Sequence, residues 1–269
     1  MKLQLCFPEF KTKALTLSYD DGAASDRKMV SILDKYGIKC TFNLCSGFLK
    51  DRDGIKAREI SELYKNHEIA SHTASHFYPE DITSDQLAKD ILDDRLALET
   101  ITGKIVDGLA YPFGLHKPER EPKAAKMCGI KYARTVNSTC GFELPEDLLK
   151  WNPTCHHDSP RLFELWAEYL NVPDWRTVLF YLWGHSFEFE NNSNWEHLED
   201  FCKTAGQNAE IWYATNGEIA DYISAYRMMR KSCDGNLIYN FSPVKLYVIC
   251  DGEKAVIEPG AVFKKENVK

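Results

Sequence analysis

The chain has no cysteine pair at C-x-x-C spacing, no apolar run long enough to cross a bilayer, no charge tract, no low-complexity segment and no internal repeat. Each absence excludes a class. Without paired cysteines there is no zinc ribbon, and an odd total of nine argues against a disulfide framework. Cys40, Cys45 and Cys202 sit inside apolar patterns, and the cysteines are read as reduced, mostly buried thiols. Lys2, Glu9, Lys11 and Lys13 interrupt the first thirteen residues, which leaves no apolar stretch of signal-peptide length. A cytoplasmic location with no membrane partner is therefore expected. Positive charge is also in short supply: 33 Lys and Arg against 40 Asp and Glu give a net charge of −7. That argues against a nucleic-acid partner. No G-x-G-x-x-G follows the first predicted strand, so the dinucleotide-binding fingerprint is missing.

What remains is a folded globular chain of 269 residues, 44% hydrophobic and 12% aromatic, long enough for a sizeable core. Strand and helix signals alternate along it. Strand patterns cover Ala14 to Tyr19, Ile38 to Cys45, Glu68 to Ser71, Val106 to Tyr111, Ile130 to Val136, Thr177 to Trp183 and Glu210 to Ala214. An irregular strand is expected from Leu149 to Thr154, interrupted by Pro153. Helical patterns separate them, the longest from Ser84 to about Thr102, with Thr83 and Gln86 as a capping box and Gly103 as its stop. This is an α/β chain of seven or eight β-then-α units. It predicts a TIM-like (β/α) barrel, distorted, over residues 1–232, with an open doubly wound sheet as the alternative. Residues 233–269 read as a small β appendage packed on the barrel, with a hairpin turn at Asp251-Gly252.

In such a barrel, reactive groups lie just past the carboxyl ends of the strands. Asp20, Asp21 and Gly22 follow the first strand, and His72 and His76 the third. Arg134 falls near the end of the fifth, His156, His157 and Asp158 follow the sixth, and His185 the seventh. Five of the eight histidines thus gather on one face. Spacing of four on a helical turn would aim His72 and His76 the same way. With Asp21 they make a set that suits Zn²⁺ or another divalent first-row ion, Co²⁺, Mn²⁺, Fe²⁺ or Ni²⁺. His67 reads as structural, His116 and His197 as loop and helix-surface residues. Trp195 is either a sugar-stacking platform or, at its helical spacing, core. Tyr19, beside the aspartates, is a candidate to line the site.

The motifs resemble the polysaccharide deacetylase (NodB homology) family, the fourth carbohydrate esterase family. The T-F-D-D-G motif is matched, with variation, by Thr16 to Gly22, and H-[ST]-x-x-H by His72 to His76. R-x-P-Y-G is matched by Ala110-Tyr111-Pro112-Phe113-Gly114, and L-x-H by Leu182 to His185 with one extra residue. The resemblance implies that Asp21, His72 and His76 hold the metal and Asp20 is the general base. It implies an oxyanion contact from the backbone near Phe113, and proton donation from His185 to the leaving amine. Two departures stand out. Ala110 replaces the arginine that orients the base; Arg134 either supplies that charge or is a surface residue. The Asp-Trp motif that supports the acid has no clean match; Asp158 is the candidate to orient His185, with His156 or His157 lining the cleft. The implied activity is removal of N-acetyl groups from an amino sugar or short glycan. An O-acetyl esterase, a non-sugar amide hydrolase on the same site, and an inactive carbohydrate-binding barrel remain as alternatives. Oligomeric state is not readable from the sequence.

Overall fold

A computed structural model describes residues 2–50 and 54–264; the last five residues of the expected appendage lie outside them. The chain runs β1 (Leu3–Cys6), β2 (Lys13–Asp21), α1 (Asp26–Tyr36), β3 (Cys40–Leu44), α2 (Ile60–Leu63), β4 (Glu68–Ser71) and α3 (Ser84–Thr102). It continues through β5 (Gly108–Ala110), α4 (Glu121–Met127), β6 (Tyr132–Arg134), β7 (Cys155–His156), α5 (Leu162–Leu170) and β8 (Val178–His185). Then come α6 (Ser186–Asn191), α7 (Trp195–Ala205), β9 (Ile211–Tyr213) and α8 (Asn216–Arg227). Five short strands close the described chain: β10 (Arg230–Lys231), β11 (Leu237–Tyr239), β12 (Leu246–Cys250), β13 (Glu253–Ile257) and β14 (Val262–Lys264).

Eight strands, β2 to β9, form one parallel sheet curled into a half-barrel, in the order β6-β5-β4-β3-β2-β8-β7. This is the distorted (β/α) barrel expected. β9 pairs with Lys13–Leu15 of β2, while β3 pairs with Leu17–Asp21. The two therefore share one flank of the central strand at different heights. The gap between the edge strands is bridged by an irregular stretch. Trp151 N donates to Ala133 O at 3.0 Å, and Thr154 N to Tyr181 O at 2.8 Å. The irregular strand expected over Leu149 to Thr154 is a 3-10 turn at Leu148–Lys150 and one bridge at Trp151, and only Cys155–His156 pairs as strand. Pro153 has no N–H to extend a ladder there.

Alternation along β2 sorts its side chains. Leu15, Leu17 and Tyr19 join the core beneath the helices, with Met29 and Leu33 of α1 and Leu198 and Phe201 of α7. Thr16, Ser18 and Asp20 point into the barrel, where Thr16 Oγ1 donates to Asn216 and Asn43 Nδ2 donates to Ser18 Oγ, both at 2.8 Å. The barrel interior at its site end is thus hydrogen-bonded rather than oily. The small sheets are antiparallel: β1 from the N-terminus pairs with β12, which pairs with β13 through the Asp251-Gly252 turn, and β10-β11-β14 form the other. No disulfide forms among the described residues; Cys140 and Cys233 are exposed and the other cysteines buried. Among the described residues no helix is long and apolar enough to cross a membrane.

Phe201 sits fully buried, with its ring centroid 5.5 Å from that of Trp166 and 6.1 Å from that of Phe180. Phe201→Ala is expected to cost about 3–5 kcal/mol, the range for emptying an aromatic core position. Urea denaturation measures this; a loss under about 1 kcal/mol would contradict the packing described.

Candidate active site

The strand ends build a cleft of about 550 Å³ whose lining includes Asp20, Asp21, His72, His76, Phe113, Trp183 and His185. Asp20 and Asp21 end β2, and Asp21 takes a left-handed conformation, φ 79°, just before Gly22 at 74°. That turn separates the neighbouring carboxylates instead of leaving both on one strand face.

His72 and His76 do not lie on a helical turn, as their spacing suggested. They flank an irregular loop in which Thr73 and His76 themselves have positive φ, 62° and 50°. Carboxylates from the inner face of α3 take up this loop's donors. Asp94 accepts from Ser46 N at 2.7 Å, Ser71 Oγ at 2.5 Å and His72 N at 3.2 Å, and Asp90 accepts from Ser75 N at 3.2 Å. Burial pushes the Asp94 carboxyl up to about 6, against the pull of these donors. His72 Nδ1 donates to Ala110 O at 2.8 Å, which leaves Nε2 as the ring's free lone pair.

His72 Nε2 and His76 Nε2 each lie 3.5 Å from Asp21 Oδ1, and that oxygen is buried without a hydrogen-bond partner. Tetrahedral ligands bound at about 2.0–2.1 Å stand roughly 3.3–3.4 Å apart. The three donors therefore fit a divalent cation.

Asp20, 2% exposed, accepts from Asn43 Nδ2 at 2.8 Å through one oxygen and from the Arg134 guanidinium through the other. Arg134 is fully buried, its guanidinium 4.4 Å from the centre of the Trp183 ring. The surface reading of Arg134 is thereby corrected. It stands in parallel register with Ala110, so its guanidinium enters from one strand over. Burial works to raise the Asp20 carboxyl, but Arg134, with His72 and His185 adding, holds it below its ordinary value.

His185 Nε2 stands 4.0 Å from Asp20 Oδ2, and its Nδ1 lies 3.4 Å from Glu188 Oε2. Burial opposes the charged imidazole, but Glu188 and then Asp20 and Asp21 lift its pKa. The carboxylate behind His185 is thus Glu188 and not Asp158, which instead lies 3.3 Å from His157 Nε2. Glu188 was missed because α6, a single short helix, was not anticipated. The readable signal was spacing: Glu188 also accepts from His185 N at 3.0 Å, the reciprocal half of a capping box.

The expectations for Tyr19, His156 and His157 are also corrected. Tyr19 does not line the cleft; period-two alternation turns it to the helix side, fully buried against His157 and Phe189. His157 is equally buried, and that burial pushes it down to about 3; His156 is half-buried beside it. Neither lines the cleft described above. His197, half-buried on α7, also has a partner beneath it, since Nε2 lies 2.8 Å from His157 O. Of the two readings of Trp195, core holds, with its Nε1 donating to Glu190 at 2.7 Å. Phe113 does reach the cleft, half exposed, its ring centroid 4.7 Å from that of His76.

The family model for polysaccharide deacetylase matches residues 8–133. The resemblance carried by the motifs therefore has an independent match over the segment that holds Asp20, Asp21, His72 and His76. Solved structures with this fold include a Mycobacterium smegmatis protein assigned to the polysaccharide deacetylases, 19% identical with a TM-score of 0.62, covering 85% of this chain and 96% of that one. Another is the Xyl-CE4 domain of a multidomain xylanase from the hindgut metagenome of Trinervitermes trinervoides. It is 14% identical with a TM-score of 0.55, covering 80% and 92% of the two chains. A gellan lyase from Bacillus sp. is 31% identical over 149 residues, 54% of this chain; the match spans 5% of that protein's length.

Asp26, at the start of α1, tests the electrostatics behind the cleft. It accepts from Tyr64 OH at 2.6 Å and from Ser186 Oγ, with no cation among its partners in the described residues. Burial pushes its carboxyl up from 3.8 to about 7, with Asp21 and Asp20 adding to the rise. The folded protein thus keeps a proton that the unfolded chain releases, and stability should fall as pH rises from about 4 to about 7. In chelator-treated protein, Asp26→Asn should flatten that decline by on the order of 1 kcal/mol per pH unit. Urea midpoints across this range decide it; parallel profiles for the two proteins would refute the assignment.

Proposed function

We propose that this protein is a metal-dependent hydrolase that removes N-acetyl groups from an amino sugar or short glycan. The observation that carries the reading is the pairing of two adjacent carboxylates in different surroundings. Asp21 faces two imidazole nitrogens at 3.5 Å, while Asp20 is held charged by Arg134 and Asn43. Asp21, His72 and His76 would hold the ion, Zn²⁺ in the first place, with Co²⁺, Mn²⁺, Fe²⁺ or Ni²⁺ able to fill the same donor set. A divalent ion there supplies Lewis-acid polarisation of an acyl oxygen and a lowered pKa for water.

The remaining chemistry belongs to the chain. Asp20, kept ionised, takes a proton from the attacking water as its oxygen bonds to the acetyl carbon. Arg134 and Asn43 occupy both Asp20 oxygens and so fix where the carboxylate stands. The backbone N–H near Phe113 stabilises the oxyanion. His185, its pKa lifted, gives a proton to the nitrogen as the carbon–nitrogen bond breaks, releasing acetate and a free amine. Glu188 at Nδ1 favours the tautomer with Nε2 toward the cleft. Phe113 and Trp183 offer aromatic surface to a sugar ring.

A non-catalytic, carbohydrate-binding barrel drew its support from Ala110 and the missing supporting carboxylate. Arg134 bonds Asp20 and Glu188 faces His185 Nδ1, which supports the enzyme reading.

Acetate release from a panel of N-acetylated sugars by Zn²⁺-loaded protein is the test, and no release with the ion bound would overturn the proposal. Asp20→Asn should lower the rate about 10²–10⁴-fold with metal binding retained. Arg134→Met should lower it as well and move the acid limb of the pH–rate profile upward, because Asp20 loses its cation. His185→Ala should depress N-deacetylation more than cleavage of an O-acetyl ester, since an alkoxide leaves more easily than an amide nitrogen.

A further inference from the structure

A second cluster of ligating groups lies behind the cleft, outside the set assigned above. His157 Nε2 stands 3.3 Å from Asp158 Oδ1 and 3.4 Å from Glu188 Oε2. These separations are longer than the about 2.7–2.9 Å of a hydrogen bond between ionised partners. They match the roughly 3.3–3.4 Å edge of a tetrahedral ligand shell, and they resemble the 3.5 Å spacings of Asp21, His72 and His76 in the same molecule.

The His157 ring is held rigidly. It stacks against Tyr19, at 5.6 Å, and against Phe189, at 4.1 Å, and its backbone carbonyl contacts His197. Gly184 gives it room: a Cβ there would come within 2.0 Å of Nδ1. Its side chain is 1% exposed, yet neither ring nitrogen has a hydrogen-bond partner. A fixed, buried imidazole aimed at two carboxylates without bonding either is an unfilled donor. No lysine or arginine among the described residues forms an ion pair with Asp158 or Glu188.

His156 plays a different part. Asp158 N donates to its Nδ1 at 3.2 Å, so its proton sits on Nε2, 3.2 Å from Glu188 Oε2. It therefore orients the Glu188 carboxylate and leaves ligation to the other three groups.

We propose that His157 Nε2, Asp158 Oδ1 and Glu188 Oε2 form a second divalent-cation site, suited to a first-row ion such as Zn²⁺. One imidazole and two carboxylates are a donor set for such an ion, with a further position open through the exposed flank at Asp158. Because Glu188 also faces His185 Nδ1, an ion there sits one carboxylate away from the cleft. The proposal stands independently of the function assigned to the first site.

Equilibrium dialysis of the chelator-stripped full chain against Zn²⁺, with elemental analysis, tests it. Wild-type protein should bind two ions, and His76→Ala one. Asp158→Asn, a change at an exposed side chain that leaves the core intact, should also bind one, and the double variant none. In the His76→Ala background, loss of Asp158 should weaken Zn²⁺ binding at least about 100-fold, the upper end of what losing a supporting partner costs. Co²⁺ loaded into the His76→Ala protein should give visible d–d absorption that Asp158→Asn abolishes. A His76→Ala protein that binds no ion, or an Asp158→Asn change that leaves stoichiometry and affinity untouched, overturns the second site. One ion bound by wild type, kept in His76→Ala and lost in Asp158→Asn, would support this site and count against the first.

Discussion

The buried ion pair between Asp20 and Arg134 is the constraint around which the barrel end is arranged. Each side chain is almost wholly removed from water, and an isolated charge there would cost several kcal/mol. The pair is tolerable because most of its remaining valences are used, Arg134 Nε being the buried exception. Asn43 donates to the second Asp20 oxygen, Thr135 O accepts from the guanidinium, and the Trp183 ring covers its face. These partners come from β2, β3, β8 and the end of β6, so the charge pair is satisfied only when the sheet has curled. Such pairs are weak evidence for stability but strong evidence for a defined geometry, since either charge left alone is so unfavourable.

The same dependence runs through the polar interior. Glu68 accepts from Thr41, Gly217 N and Tyr132, and Asn216 donates to Tyr181. Apolar contacts are concentrated on the outer face of the strands, beneath the helices. The division leaves the inner face free to carry a charged site, while the helix layer supplies most of the hydrophobic stabilisation. α3 does both: Leu87, Ile91 and Leu98 are buried apolar groups, and Asp90 and Asp94 hold the loop that presents His72 and His76.

Both histidine clusters lie past the carboxyl ends of parallel strands, on the side where loops are free to vary without disturbing the ladder. β8 is common to them. His185 ends it, Gly184 makes room for His157, and α6 begins at once and carries Glu188 back under the ring. One short helix thus places Glu188 between His185 of the cleft and His157 behind it.

Local signals were enough for much of this. Period-two alternation marked β2, helical spacing with a capping box and a stop glycine marked α3, and Asp251-Gly252 marked its hairpin, because each depends on neighbours within a few residues. The adjacent aspartates and the His72–His76 spacing were likewise readable as a donor set, since residue type alone limits what can bind a cation. What the sequence could not express was direction. Whether Arg134 turned inward and whether Tyr19 faced the cleft or the helices depended on strand register and sheet curl. Those follow from contacts between residues more than a hundred positions apart, such as Asp20 with Arg134, and no local pattern encodes them.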